Sequence, residues 1–331
     1  MRVVIAPDKF KGSLTAAEAA DAMAAGVRER WPDAEVVVVP MADGGDGTLD
    51  ALGGANRRDT VTGPLGRPIE ADWRLDGERA VIESAAASGL VLAGGRDAND
   101  PWAATSRGVG ELMAAALDAG ASRVIVGTGG SAMTDGGRGA LEALDARTPF
   151  APGRVVVLTD TTVTFHEAAR VFGPQKGADE ETVARLTARL ERDAAEWSDR
   201  FGRSIDGVPR TGAAGGLSGA LLAAGAQVVD GAAFVAEAAG LAEALSGADL
   251  VLTGEGAFDA TSLTGKGPGH VLALAAAGGV RALVVAGVVA DEVRGPGAVS
   301  VAEAVGIRRS LRHPAEAVRR AVVRGLESIG A

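Results

Sequence analysis

Four times in this chain a short apolar run leads straight into a glycine-rich loop that carries an ionisable side chain. "RVVIAP" (2–7) runs into "APDKFKGS" (6–13), and "EVVVVP" (35–40) runs into "ADGGDGT" (42–48). "SRVIVG" opens "GTGGSAMTDGG" (127–137), and "ADLVLTGEG" (248–256) opens "TGEGAFDATSLTGKG" (253–267). Apolar runs this short, without polar alternation, suit strands buried on both faces of a parallel sheet. Parallel strands need helical crossovers, and "TAAEAADAMAAGVRERW" (15–31) reads as the first, with Thr15 and Glu18 at capping-box spacing. A single Gly/Asp turn is ordinary. Repetition at the ends of apolar runs points to a ligand, because open parallel sheets bind beyond the carboxyl ends of their strands.

The rest of the chain divides into two characters. "TLDALGG" (48–54) starts a helix that ends at glycines. Near the C-terminus, "GHVLALAAAGG" (269–279) reads as a helix, "RALVVAG" (281–287) as a strand and "VSVAEAVGI" (299–307) as an edge element. "HPAEAVRRAVVRGLESI" (313–329) is an amphipathic helix. Between the ends, residues 59–87 alternate in short runs with turn residues, which implies hairpins and a mixed sheet. A helix over 106–120, a strand over 154–160 and a long charged helix over 178–201 follow. No Pro/Gly linker separates two complete halves. The expected fold is therefore α/β: a parallel Rossmann- or flavodoxin-like sheet domain built from both chain ends, residues 1–56 plus 240–331. A second α/β domain with a mixed sheet, residues 57–239, is inserted into it.

Composition removes several functions. The 331 residues suffice for two domains. With no cysteine there is neither a disulfide framework nor a thiolate metal site. The 33 basic and 43 acidic residues give a net charge of −10, which argues against nucleic-acid or anionic-membrane surfaces. The apolar run at the N-terminus is too short for a secretory signal. Residues 271–290 are broken by Arg281 and paired glycines and read as helix then strand, not as a membrane span. A cytoplasmic location is expected.

The loops themselves narrow the chemistry. Around Lys266 the Walker A pattern fails twice, at Ala260 and Gly267. "GTGGSA" (127–132) matches a loose dinucleotide pattern. Gly136 and Gly137, however, fall where the following helix should run, at a cost of about 2 kcal/mol. Flexible glycines beside Ser131 and Thr134 suit anionic oxygens through backbone N–H groups. Phosphoryl transfer needs carboxylates for Mg²⁺, cations for the moving charge and a base for the attacking hydroxyl. The acidic candidates are Asp8, Asp43, Asp46, Asp135, Glu255 and Asp259, and the basic ones are Lys9, Lys11, Lys176 and Lys266. Some of these have plainer roles open to them. Ser13 and Asp46 could cap helices, and Lys176 could be a surface charge.

At this level of detail the chain resembles the bacterial type I glycerate kinases. "APDKFKGSLTAAEAA", "PMADGGDGTLDAL", "GTGGSAMTDGGRGALEAL", "VFGPQKGAD" (171–179) and "LTGEGAFDATSLTGKGP" are similar to that family's motifs, in order, over nearly the full length. The chain departs from the family's pattern in lacking a proline after Asp160 and in having Ala257 where arginine is frequent. The resemblance implies ATP- and Mg²⁺-dependent phosphorylation of D-glycerate, giving 2-phosphoglycerate, in a cleft between two α/β domains. Rival readings are a kinase for another small hydroxy acid and a non-catalytic nucleotide- or metabolite-binding protein. The expected catalytic residues are Lys11, Asp43, Asp135 and Lys266. Asp8, Ser13, Gly44, Gly45, Gly129, Gly130, Ser131 and Lys176 are expected to bind substrate or phosphate, and Glu255 and Asp259 the metal. The partners expected are small molecules, with a homodimer as the assembly considered.

Overall fold

A computed structural model describes residues 1–263, 266–295 and 297–329. Thr264 and Gly265 of the fourth glycine loop lie outside the described residues. The strands, in chain order, are β1 (Arg2–Ile5), β2 (Glu35–Val38), β3 (Arg57–Thr62), β4 (Pro68–Asp76), β5 (Arg79–Glu83), β6 (Arg123–Gly127) and β7 (Val155–Thr159). They continue with β8 (Gln227–Asp230), β9 (Leu250–Thr253), β10 (Ala257–Phe258), β11 (Arg281–Ala286), β12 (Val288–Val289) and β13 (Ala298–Ser300). The chain forms two compact units. One comprises Met1–Asp43, Asp50–Leu52 and Gly231–Ala331, and the other Gly44–Leu49 and Gly53–Asp230.

The first unit carries an all-parallel sheet in the order β13-β11-β9-β1-β2. β1 lies between β9 and the edge strand β2, with Val4 opposite Val37 on one side and Val251 on the other. The helix Ala16–Arg30 returns the chain from β1 to β2, and its start is fixed as the spacing predicts. Glu18 N–H donates to Thr15 Oγ1 at 3.1 Å, while Thr15 N–H donates to Glu18 Oε2 at 2.8 Å. Met23 and Val27 of that helix share a core with Val3, Ile5, Leu252, Val285 and, from the helix Pro314–Ser328, Val318 and Val322. A short parallel pair joins β10, within the last glycine loop, to β12.

The second unit carries a six-stranded mixed sheet in the order β3-β4-β5-β6-β7-β8. β3, β4 and β5 pair antiparallel as hairpins, and the rest run parallel. Its core gathers Ile82, Val124, Val126, Val155 and Val157 with Leu186, Leu190 and Trp197 of the helix Glu180–Phe201. The sequence offered no element between 202 and 247. There the structure forms the helix Leu217–Ala223, β8, and the helices Gly231–Ala238 and Leu241–Leu245. All are short, at four to eight residues each, and runs so brief show little period. Among the described residues no helix is long and apolar enough to cross a membrane.

Candidate active site

In the first unit, three adjacent parallel strands each release one carboxylate at their carboxyl ends: Asp8 after β1, Asp43 after β2 and Glu255 after β9. Backbone pairing continues past the strands and holds these loops side by side. Met41 N–H donates to Pro7 O at 2.9 Å, and Asp8 N–H to Gly254 O at 2.8 Å. The Lys9 ammonium stands 4.0 Å from Asp8 Oδ1 and 3.9 Å from Asp43 Oδ1. Asp8 is only 5% exposed. A Cβ on Gly267 would lie 3.1 Å from its Oδ2, so Asp8 faces the N-terminus of the helix Gly267–Ala277. Burial, with the Asp43 charge beside it, pushes the Asp8 carboxyl up to about 7, against the lowering pull of Lys9. Glu255 is likewise raised, chiefly by burial, while a Ser262 hydrogen bond and the Lys266 charge pull it back. Among the described residues its Oε1 is buried with no hydrogen-bond partner.

The remaining expected residues of this unit fall at the margin. Lys11 is exposed on the loop after β1, so Lys9 rather than Lys11 stands between the carboxylates. Ser13 does not cap the helix, since Thr15 does. Its hydroxyl donates to Phe10 O at 3.0 Å and closes the turn. Asp259 Oδ1 accepts from Thr261 N–H at 2.8 Å and Thr261 Oγ1 at 2.6 Å, and opens the 3₁₀ turn Ala260–Leu263. The Thr261 hydroxyl holds that carboxyl below its ordinary value. Among the described residues no group of three or more His, Cys, Asp or Glu is placed to hold a metal.

In the second unit, two glycine loops nest against one another. Thr128 N–H donates to Gly44 O at 2.7 Å. A Cβ on Gly129 would stand 2.5 Å from Gly45 Cα, and one on Gly130 would stand 2.5 Å from Asp46 Oδ1. Only glycine permits that approach, and Gly130, at φ +61°, also takes a left-handed backbone. Beneath the second loop lies Lys176, in the turn Pro174–Lys176. It donates to Ser131 Oγ at 3.1 Å and Met133 O at 2.6 Å. Its burial contradicts the surface-charge reading. Burial pushes its ammonium down to about 7, with Asp135 pulling it partly back.

Asp135 is a buried anchor of this loop. Its carboxylate accepts from Ser106 N–H and Oγ, both at 2.8 Å, and from the N–H groups of Gly137 at 3.1 Å and Gly139 at 3.2 Å. It thereby ties the starts of the helices Arg107–Asp118 and Arg138–Leu144 together. Sequence reasoning passed over Asn99, whose amide donates to Lys176 O at 2.8 Å, and Glu83, which accepts from Leu49 N–H at 2.7 Å. It also passed over the glycine stretch "TGAAGG" (211–216), which has no ionisable residue to mark it; there Gly136 N–H donates to Gly215 O at 3.0 Å. A cavity of about 520 Å³ lined by Glu78, Arg123 and Arg154 lies at the amino-terminal ends of β6 and β7. Those are the ends opposite the glycine loops, where the parallel-strand rule places no ligand.

A family model described as "Glycerate kinase family" matches residues 3–164 and 152–328. The chain belongs to the glycerate kinase family. It is 40% identical over 306 residues to glycerate 2-kinase of Escherichia coli (strain K12), covering 81% of this chain and 80% of the relative. It is 38% identical over 306 residues to glycerate kinase of Bacillus subtilis (strain 168), with 81% and 80% covered. A crystal structure described as a glycerate kinase 2 from Salmonella typhimurium LT2 matches with a TM-score of 0.80 at 34% identity. That match covers 100% of this chain and 98% of the other. The chain is thus a kinase of that family.

Proposed function

We propose that the protein transfers the γ-phosphoryl group of ATP to D-glycerate and gives 2-phosphoglycerate. The observation that carries this reading is the gathering of Asp8 and Asp43 about the Lys9 ammonium, with Glu255 from the adjoining strand end. Phosphoryl transfer is mostly positioning and charge stabilisation, plus a group that takes the attacking hydroxyl's proton. Asp43 is the half-buried member of the pair and takes that proton. Asp8, lifted to about 7, is partly protonated at neutral pH and so places less negative charge beside Asp43. Lys9 and Lys266 offset the charge that develops on the transferred group. Lys11, exposed on the same loop, meets the anionic ligand at the rim.

In the second unit, the backbone amides of Gly44, Gly45, Gly129 and Gly130 with Ser131 suit nucleotide phosphate oxygens. Lys176 adds positive charge from below. Mg²⁺ takes hard oxygen donors, usually one or two carboxylates together with phosphates and water. The buried Glu255 Oε1 fits that donor set, so Glu255 would hold the ion together with phosphate oxygens and water; bound there, it would neutralise phosphate charge. Asp259, engaged in its own turn, is left to a lesser role.

The preference for the 2-position follows the name of the Escherichia coli relative. The test is ADP release with D-glycerate, L-glycerate, tartronate and a longer aldonate, with and without Mg²⁺, and phosphorus NMR of the product. D-glycerate should be preferred and phosphorylated at carbon 2. Turnover of tartronate or the aldonate alone would replace the substrate.

A further inference from the structure

We infer that Arg189 is a positioning residue for the nucleotide: it fixes the glycine loop 127–137 through the Thr134 carbonyl and sets a positive charge beneath the phosphates. This rests on the proposed reading of that loop as the seat of the nucleotide phosphates. Arg189 and the loop both belong to the second unit. Arg189 stands on the helix Glu180–Phe201, one and two turns before Asp193 and Trp197, and residues at that spacing share one face. All three meet the loop. Arg189 Nη2 donates to Thr134 O at 3.1 Å, and Trp197 Nε1 donates to Gly136 O at 3.0 Å. A Cβ on Gly136 would stand 2.5 Å from Asp193 Oδ2.

The Arg189 fork is itself held in place. Nη1 and Nη2 each donate to Trp102 O at 3.1 Å, and the guanidinium carbon lies 4.2 Å from the centre of the Trp102 ring. With Lys176 on Met133 O and Asn99 Nδ2 on Ala132 O at 3.2 Å, three successive carbonyls of the loop are drawn to side-chain donors. A trans peptide points its carbonyl and its N–H opposite ways, so these bonds also fix the direction of the Met133, Thr134 and Asp135 amides. Holding a carbonyl needs no charge, as Trp197 shows with a neutral N–H. What Arg189 adds is the cation. It bonds only neutral carbonyls: among the described residues it makes no ion pair, and its buried Nε has no hydrogen-bond partner. Burial pushes the guanidinium below its ordinary value, and the Asp135 and Asp193 charges only partly oppose this. A half-buried cation with neutral partners is stabilised by an anion brought near it. The loop it supports is the one whose amides suit phosphate oxygens.

The test is steady-state kinetics of Arg189→Met and Arg189→Lys at matched folded concentration, with thermal unfolding of each and calorimetric binding of inorganic tripolyphosphate. ATP is varied at saturating D-glycerate, then D-glycerate at saturating ATP. Arg189→Met should raise KM for ATP about 10-fold, weaken tripolyphosphate binding by a similar factor, and leave KM for D-glycerate within about twofold. Arg189→Lys, which keeps a charge but not the fork, should fall between. Should the methionine variant not fold, a rise of about threefold or more in KM for ATP in the lysine variant decides for the inference, and no rise decides against it. An unchanged KM for ATP in the folded variants overturns the inference. So does a rise confined to D-glycerate, or a rise for ATP with tripolyphosphate binding intact. A latch with no ligand role would instead lower the unfolding temperature and leave both KM values and tripolyphosphate binding alone. Failure of the kinase reading is distinguishable, since wild type would then form no ADP from D-glycerate, while tripolyphosphate binding would still report on Arg189.

Discussion

The Lys176 ammonium donates to the Met133 carbonyl at 2.6 Å while only 3% of the residue is exposed. A buried cation so placed supports the glycine loop from below, and its burial has a pH signature. Its value falls from the ordinary 10.5 to about 7 in the folded protein. Between those values the unfolded chain binds more protons than the folded one, so stability from this group rises with pH. Below about pH 7 both states carry the proton and the contribution is flat. Denaturant midpoints of wild type and Lys176→Met, compared from about pH 6 to about pH 10, should show wild type gaining on the variant above pH 7. A constant difference across that range would contradict the placement.

Asp135→Ala removes the acceptor for Ser106, Gly137 and Gly139 and strands their buried donors. The expected loss is about 3 kcal/mol or more in unfolding free energy. Asp135→Asn keeps one accepting oxygen but turns an amide N–H toward donors, so it should lie between alanine and wild type. Urea denaturation at neutral pH checks both. An alanine variant as stable as wild type would show that water replaces the carboxylate.

The Asp43 charge is one of the causes that raise Asp8, second only to burial. Asp43→Asn removes that charge, so the Asp8 carboxyl should titrate lower than in wild type. Infrared titration of the protonated carboxyl band in the two proteins measures this directly. A band that titrates at the same pH in both would separate the two carboxylates.

Much of this fold is legible because its strands are short apolar runs that lead into glycine-rich loops. β1, β2, β6 and β9 each follow that rule, and the Thr15–Glu18 pair marks the first crossover helix. The site is less legible, for physical reasons. Lys9 and Lys11 lie two apart on an irregular loop, with no period to say which turns inward. Lys176 precedes an acidic helix and reads as solvated. It is buried by contacts with Ser131 and Met133, more than forty residues away in sequence. Asp259 has a loop sequence suited to a metal ligand, yet its nearest donors, Thr261 and Ser262, are local and take its oxygen first.

In the proposed reaction the γ-phosphoryl of ATP passes to D-glycerate while Asp43 accepts the hydroxyl proton. The most direct measurement is D-glycerate-dependent ADP formation by wild type and Asp43→Asn, at matched folded concentration and saturating Mg²⁺. Wild type should turn over, and the variant, whose near-isosteric side chain keeps the turn but not the basicity, should show a kcat about 10²-fold lower, or less still. No ADP from folded wild type, or a variant that turns over as fast as wild type, would contradict it.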